Sequence, residues 1–347
     1  MMARRPLIFV LNDTCLEVVD RLREWTKSLP IDLRADRALG TMPVAQIDRI
    51  VDGADALVLP SSDRGGFPAD AHMARHRLIK VMTIAASGYE WFDLDAATRH
   101  GIVVANAPAR EGIEVVADQT FALMLSVARR IPHHHRKIRE GSFERGIGTS
   151  VWSKTLGIVG LGAVGKAVAR RARGFDMAVL ATTRHADERF NRTWGVEVVP
   201  LEHLLRESDF VSLHVRLHDG AKGLIGAREL ALMKRCAFLI NTARRELVDE
   251  PSLTGAVMSG RIAGVRQDDP PADPHSPLPE LANFVCAPHL GNRAVEGMVA
   301  VLRLAIEQAV QVLGGQRPAH LLNPAVYDGS ALRAPAGPKH PAKTWRP

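Results

Sequence analysis

Cysteine is scarce in this chain. Only Cys15, Cys236 and Cys286 occur in 347 residues, each inside an apolar stretch and none in a C-x-x-C pair. A disulfide framework or a zinc site is therefore not expected, and a reducing cytoplasm is the natural setting. No apolar run is long enough to span a bilayer, and the N-terminus lacks a signal-peptide pattern, so no membrane association is expected. No solenoid-type repeat is present. Acids are missing from residues 329–347, which carry Arg333, Lys339, Lys343 and Arg346 among Pro, Ala and Gly. Residues 327–347 thus read as a disordered basic tail. Residues 329–347 supply four of the seven net positive charges. A second basic run, Arg129 to Arg139, follows a helix end, where cations are favoured. The charge balance therefore does not call for a nucleic-acid partner. What remains is ordinary: 46% hydrophobic and 24% charged residues fit a globular protein, and 347 residues suggest two domains.

Short apolar strands alternate with helical patterns along the first hundred residues. Leu7–Leu11, Ala56–Pro60, Ile79–Ile84 and Ile102–Ala105 read as strands; Cys15–Leu29, Val44–Val51 and Leu94–His100 read as helices. This alternation argues for a parallel sheet covered on both faces. A long segment, Gly112–Ile131, is apolar on nearly all sides and reads as a helix buried between layers, domains or subunits. A second alternation begins at Thr155, with strands expected at 155–159, 177–181, 196–199, 210–215, 237–241 and 284–287, and Asp249 opening a helix. The apolar helix Val295–Leu313 is expected to return to the first domain. The resulting division is a discontinuous substrate domain (1–111 and 295–326) and a nucleotide domain (112–294). The fold class is α/β, with two doubly wound parallel sheets.

The most informative stretch is Gly160-x-Gly162-x-x-Gly165, with an apolar strand before it and a helix after it. Gly160 permits the tight turn, Gly162 lets backbone approach a pyrophosphate, and Gly165 lets helix and strand pack closely; Ala163 and Val164 lie between them. The N–H groups and positive dipole end of the helix then hold the phosphates. In such domains the end of the second strand reads the adenosine ribose, an acid favouring NAD and an arginine NADP. Here that place holds Thr182-Thr183-Arg184-His185, with no acid. Thr183 offers a hydroxyl and Arg184 a planar fork suited to a 2′-phosphate. NADP is therefore favoured, with NAD the alternative; a merely solvated Arg184 is the competing reading.

Two further residues stand at strand ends of the same domain. Arg244 follows Phe238-Leu-Ile-Asn241 directly, and His289 follows Cys286-Ala-Pro. An arginine suits a carboxylate, and a histidine suits proton exchange near neutral pH. Each alone reads equally as a loop residue; two at one sheet edge form a constellation. The tract His133-His134-His135 points in several directions and is not expected to hold a metal.

Over residues 5–325 the chain resembles the D-isomer-specific 2-hydroxyacid dehydrogenase family. The resemblance is carried by Ser87-Gly88-Tyr89 with Asp93-Leu94, Asn106-Ala-Pro108, the glycine fingerprint, Ser212-Leu-His-Val215, Asn241-Thr-Ala-Arg244 with Leu247-Val-Asp249, and Pro288-His289. It implies a flavodoxin-like substrate domain and a Rossmann-type nucleotide domain flanking a cleft, usually in a homodimer. It further implies that Arg244 binds the substrate carboxylate and polarises its carbonyl, and that His289 is the acid and base. Backbone N–H groups at Ser87 and Gly88 would grip the carboxylate. Asp268 would lie near the nicotinamide, with Thr242 and Ala243 lining the same side.

The chain departs from the family in one segment above all. The family pairs its histidine with a glutamate before a proline, and that place holds Asp273 before Pro274; Asp269 is the less favoured substitute. Gly264-Val-Arg-Gln267 replaces a usually apolar strand, and Arg266 and Gln267 would be awkward if that strand were buried. The expected activity is NADP-preferring reduction of a small 2-keto acid to a D-2-hydroxy acid, of the glyoxylate or hydroxypyruvate type. Two alternatives stay open: a catalytically weak, nucleotide-sensing protein of the corepressor kind, and a dehydrogenase of a non-carbon donor such as phosphite.

Overall fold

Four strands of the N-terminal sequence are mostly apolar and buried, all but Leu7 at the start of the first, a composition that requires cover on both faces. In a computed structural model of the protein, which describes residues 4–335 apart from 12, 36–38, 40 and 62–65, they are β1 (Leu7–Val10), β3 (Ala56–Leu59), β4 (Val81–Ile84) and β5 (Val103–Asn106). With β2 (Asp32–Ala35) they form a five-stranded parallel sheet in the order β2-β1-β3-β4-β5. This is the flavodoxin-like order. One face is covered by helices Leu16–Thr26 and Val295–Leu313, which bring Val19, Leu22, Leu302 and Ile306 against Ile8, Val58 and Val81. The opposite face is covered by helices Val44–Ile50, Asp70–Arg75 and Leu94–Arg99, through Ile47, Met73 and Ala97. The polar strand β2 and the short helix Asp70–Arg75 escape the sequence reading. β2 is an edge strand, so its Asp-Leu-Arg-Ala run needs no apolar alternation.

The second sheet is also parallel. It contains β6 (Thr155–Val159), β7 (Ala178–Thr182), β8 (Val196–Val198), β9 (Phe210–Leu213), β10 (Phe238–Asn241), β11 (Gly264–Gln267) and β12 (Phe284–Cys286). Their order, β12-β11-β10-β9-β6-β7-β8, reverses direction between β6 and β9. At such a point the connections leave to opposite faces and open a crevice at the carboxyl ends of the strands. Phe210 and Phe238 are register partners on β9 and β10, and their rings stack with centroids 5.2 Å apart. They pack under helix Arg110–Ala128, with Phe121 and Met124 in the same cluster. The expected single helix to Ile131 stops three residues early. Arg130 adopts a left-handed φ of 53°, and a separate helix, Ile131–Arg139, starts with Pro132 in its first turn. β11 forms despite its polar content, with Arg266 and Gln267 both buried.

The described residues fall into two compact units, one from 1–112 and 294–347 and the other from 113–293. The tail expectation needs correction for its first part. Residues 327–335 are packed rather than disordered: Arg333 donates to the carbonyls of Met73, His76 and Ile79, and Ala334 is buried. Residues 336–347 lie outside the described ones. No helix is long and apolar enough to cross a membrane.

Candidate active site

The crevice of the second sheet is built first by glycine. Gly160, directly after β6, has φ 99°, and a Cβ there would lie 2.8 Å from the His214 backbone at the end of β9. A Cβ at Gly165 would meet the Gly160 carbonyl oxygen at 2.2 Å, so helix Ala163–Ala172 could not approach the turn with any larger residue. Gly162 differs from both. A Cβ there meets nothing within 4 Å, and as N-cap of the helix it offers no side-chain cap to the first N–H groups. The space over a helix start with free donors and Ala163 and Val164 in its first turn suits a pyrophosphate, so the residues present fit a dinucleotide.

Beyond β7, Thr183 is half-buried and Arg184 exposed. Thr183 Oγ1 makes only long contacts with the His185 backbone, at 3.3 and 3.4 Å. The nearest following acid, Asp187, is already engaged. It accepts from Lys166 Nζ at 2.5 Å and caps helix Glu188–Trp194 through the Phe190 N–H, and the Lys166 contact holds its carboxyl below the usual range.

At the other side of the switch point, Arg244 leaves β10 half-buried. Its loop is braced by buried Asn241, whose amide donates to the Arg244 carbonyl at 2.8 Å while its oxygen accepts from Ala243 N–H at 3.1 Å. Thr242 Oγ1 lies 3.0 Å from Thr120 Oγ1, tying the loop to the long helix. Asp268 and Asp269 follow β11 directly. Asp268 is 3% exposed and spends its carboxylate on the loop that carries His289, accepting from Leu290 N–H at 3.0 Å and Gly291 N–H at 2.6 Å. Its own carbonyl accepts from His289 N–H at 2.7 Å. Burial pushes the Asp268 carboxyl up, against the hydrogen bonds that pull it down. The sequence reading gave Asp268 to the nicotinamide side; the structure shows it clamping residues 289–291.

Thus fixed, His289 sits at φ 56°, a left-handed backbone that few non-glycine residues adopt and that is found where a site demands it. Its Nδ1 lies 2.7 Å from Asp269 Oδ1. This corrects the expectation that Asp273 holds the imidazole. Asp273 is exposed and its Oδ1 accepts from His275 N–H at 2.8 Å, closing its own turn. The physical reason is the strand: β11 ends at Gln267, which delivers Asp269 to the His289 loop and carries the chain away before Asp273. Burial alone would raise the Asp269 carboxyl, but the His289 hydrogen bond and the charges of His289 and Arg244 hold it below its ordinary value. Nε2 of His289 has no hydrogen-bond partner among the described residues. His214, on the β9 end, donates to or accepts from Ser212 Oγ at 2.8 Å, and burial pushes it down to about 3, so it stays neutral. The sequence reading counted it within Ser212-Leu-His-Val215 but gave it no role; its place one strand from the glycine turn was the available signal.

Ser87 and Gly88 belong to the other unit, at the carboxyl end of β4, where Asn106 Nδ2 donates to the Ser87 carbonyl at 2.7 Å. No cluster of metal-ligating side chains occurs among the described residues, the histidine tract included.

Similar proteins carry the same organisation. Residues 121–291 match the D-isomer specific 2-hydroxyacid dehydrogenase NAD binding domain. A glyoxylate reductase of Korarchaeum cryptofilum is 37% identical over 334 residues, covering 93% of this chain and 97% of its own. The solved structure of the TT0316 protein from Thermus thermophilus is 32% identical, with a TM-score of 0.78 over 91% of this chain and 99% of that one. The apo D-lactate dehydrogenase of Escherichia coli, 24% identical, shares the fold with a TM-score of 0.80, covering 91% of this chain and 99% of that one. With its glycine turn, its two parallel sheets and likeness along nearly the whole length, the chain belongs to the D-isomer-specific 2-hydroxyacid dehydrogenase family, whose members are nicotinamide-dependent oxidoreductases.

Proposed function

We propose that the protein reduces a small 2-keto acid to the D-2-hydroxy acid with a preference for NADPH. The observation that carries this reading is the pair His289–Asp269, with Nδ1 held at 2.7 Å and Nε2 left to face a ligand. A carboxylate on Nδ1 fixes the tautomer and stabilises the imidazolium, so Nε2 can give its proton to a carbonyl oxygen and recover it in reverse. Arg244 binds the substrate carboxylate and draws electron density toward the carbonyl oxygen. Gly160, Gly162, Ala163, Val164 and Gly165 hold the pyrophosphate, Thr242 and Ala243 border the nicotinamide, and Thr183 with Arg184 takes the 2′-phosphate. The bound nicotinamide supplies the hydride. His289 would give its proton to the substrate oxygen as the alcohol forms.

The curated glyoxylate reductases support the small 2-keto acid as substrate. The altered Asp268–Pro274 segment, which kept a non-catalytic sensor in view, supports catalysis instead, because Asp269 restores a carboxylate to the histidine. We also propose a homodimer. Ile138, Phe143, Ile147 and Trp152 are 58%, 83%, 91% and 64% exposed within fifteen residues, more apolar surface than a monomer usually leaves open. The test is oxidation of NADPH and of NADH with glyoxylate, hydroxypyruvate, pyruvate and phenylpyruvate. Turnover with NADPH well above NADH is expected. Failure to reduce any of them, while both cofactors bind, would overturn the reading.

A further inference from the structure

Arg266 is the largest fully buried side chain among the described residues, 1% exposed in the middle of β11. No ion pair or hydrogen bond to its guanidinium is found among the described residues, and its Nε is sealed without a partner. Burial pulls the group down to about 10, so it is still charged at neutral pH. The thiol of Cys286, the one acidic group it senses electrostatically, is pushed up by burial and is neutral there. A guanidinium cannot escape its desolvation cost by losing the proton, and an unpaired buried charge costs several kcal/mol. Something must answer it.

The side chain lines a cavity of about 420 Å³ on the helix-covered face of the sheet, away from the carboxyl ends of the strands where Arg244 and His289 stand. The cavity lies within one unit, bordered by the end of helix Arg110–Ala128, the start of helix Ile131–Arg139, residues 147–149 and the β11 and β12 strands; Ile147 is also one of the exposed residues given above to the homodimer. Arg130 and His133 line it too, and no Asp or Glu does. His133 Nδ1 is buried there without a partner. Burial first, then the neighbouring cations Arg130, His134, Arg136 and Lys137, hold His133 toward its neutral form, which measures how positive the place is. Ser126, Thr149 and Asn283 add uncharged polar groups to the lining, and Val127, Phe238 and Val285 give it an apolar part.

We propose that this cavity is an anion site separate from the catalytic crevice, with Arg266 and His133 gripping the oxyanion head of a small phosphorylated or carboxylated molecule. The planar fork of Arg266 suits two oxygens of one head group, His133 supplies a third contact, and the apolar walls accept a short carbon chain. The reading does not depend on which substrate the enzyme reduces.

Thermal unfolding and titration calorimetry of the full-length protein, with inorganic phosphate, sulfate and acetate in turn, test it. Phosphate or sulfate is expected to bind saturably and raise Tm by about 2 °C or more, with no such response in Arg266→Met. Acetate acting as strongly would assign the head to a carboxylate. In anion-free buffer R266M should unfold at a higher temperature than the parent, because the unpaired charge is gone. Should R266M not fold, His133→Ala decides: phosphate affinity several-fold weaker supports the site, and unchanged affinity overturns it. The proposal also fails if the parent binds none of the anions, or if R266M binds phosphate as the parent does. It fails equally if R266M turns a dimer into a monomer while anions leave the parent unaffected, since a second copy would then supply the counter-charge.

Discussion

His289 owes its placement to its neighbours on the strand side. A left-handed histidine is costly by about 1–3 kcal/mol unless the surroundings enforce it, and Asp268 does so from both its carbonyl and its carboxylate. The histidine, the arginine and the glycines were legible because their residue types follow strand ends at fixed spacing. Which carboxylate reaches the imidazole was not. That depends on where β11 ends and how the chain turns, and Asp269 stood only as the less favoured of the two carboxylates. Arg184 shows the limit from the other side: its type and position were legible, but the engagement of Asp187 by Lys166 was not, and it removes the nearest competing acid. Arg184→Ala should therefore weaken NADPH binding by about tenfold to a hundredfold, the worth of one charge-assisted hydrogen bond, and leave NADH nearly unchanged. Fluorescence titration with both cofactors would read this, and an unchanged NADPH affinity would contradict it.

Among the elements, the turn after β6 separates structural glycine from functional glycine. Gly165 is demanded by the protein itself, since a Cβ would sit 2.2 Å from the Gly160 oxygen. Gly162 is demanded by nothing in the protein. Gly162→Ala should cost at most about 1 kcal/mol of stability, yet weaken both cofactors strongly because the methyl occupies the pyrophosphate approach. Gly165→Ala should lower Tm in the absence of cofactor. Melting curves and cofactor titration of the two variants check this; a G162A protein that binds as the parent does would refute it. Elements with apolar runs were legible from sequence, whereas β2 was not read as a strand and β11 was placed only through the family resemblance. β2 is an edge with little to bury, and β11 carries a buried arginine where an apolar side chain would mark a strand.

At the scale of the whole molecule, both sheets follow from alternation of strand and helix, and their strand orders follow known doubly wound rules. The packed segment 327–335 did not show in composition, because Arg333 is fixed by three backbone carbonyls contributed from far along the chain. Acid sensitivity is also a property of both units. Burial alone would raise the Asp48 carboxyl, but the hydrogen bond from His76 at 2.8 Å and the charge of Arg75 hold it low in the first unit, as His289 and Arg244 hold Asp269 in the second. A carboxyl depressed in the folded state contributes stability above its unfolded value, near about 3.9, and loses it as pH falls through the folded value. Tm should therefore fall on acidification below about pH 4, and less steeply in Asp48→Asn. Calorimetry of the two proteins between neutral and acid pH would show it, and identical slopes would count against it.

The central claim is that His289 moves the proton with Asp269, not Asp273, behind it. One set of initial rates tests it most directly: NADPH oxidation by glyoxylate with the parent, Asp269→Asn and Asp273→Asn. D273N is expected to stay within about twofold of the parent and D269N to lose about 10²-fold or more in kcat, the usual worth of general acid catalysis. A D269N enzyme as fast as the parent, or a D273N enzyme as impaired as D269N is expected to be, would contradict it.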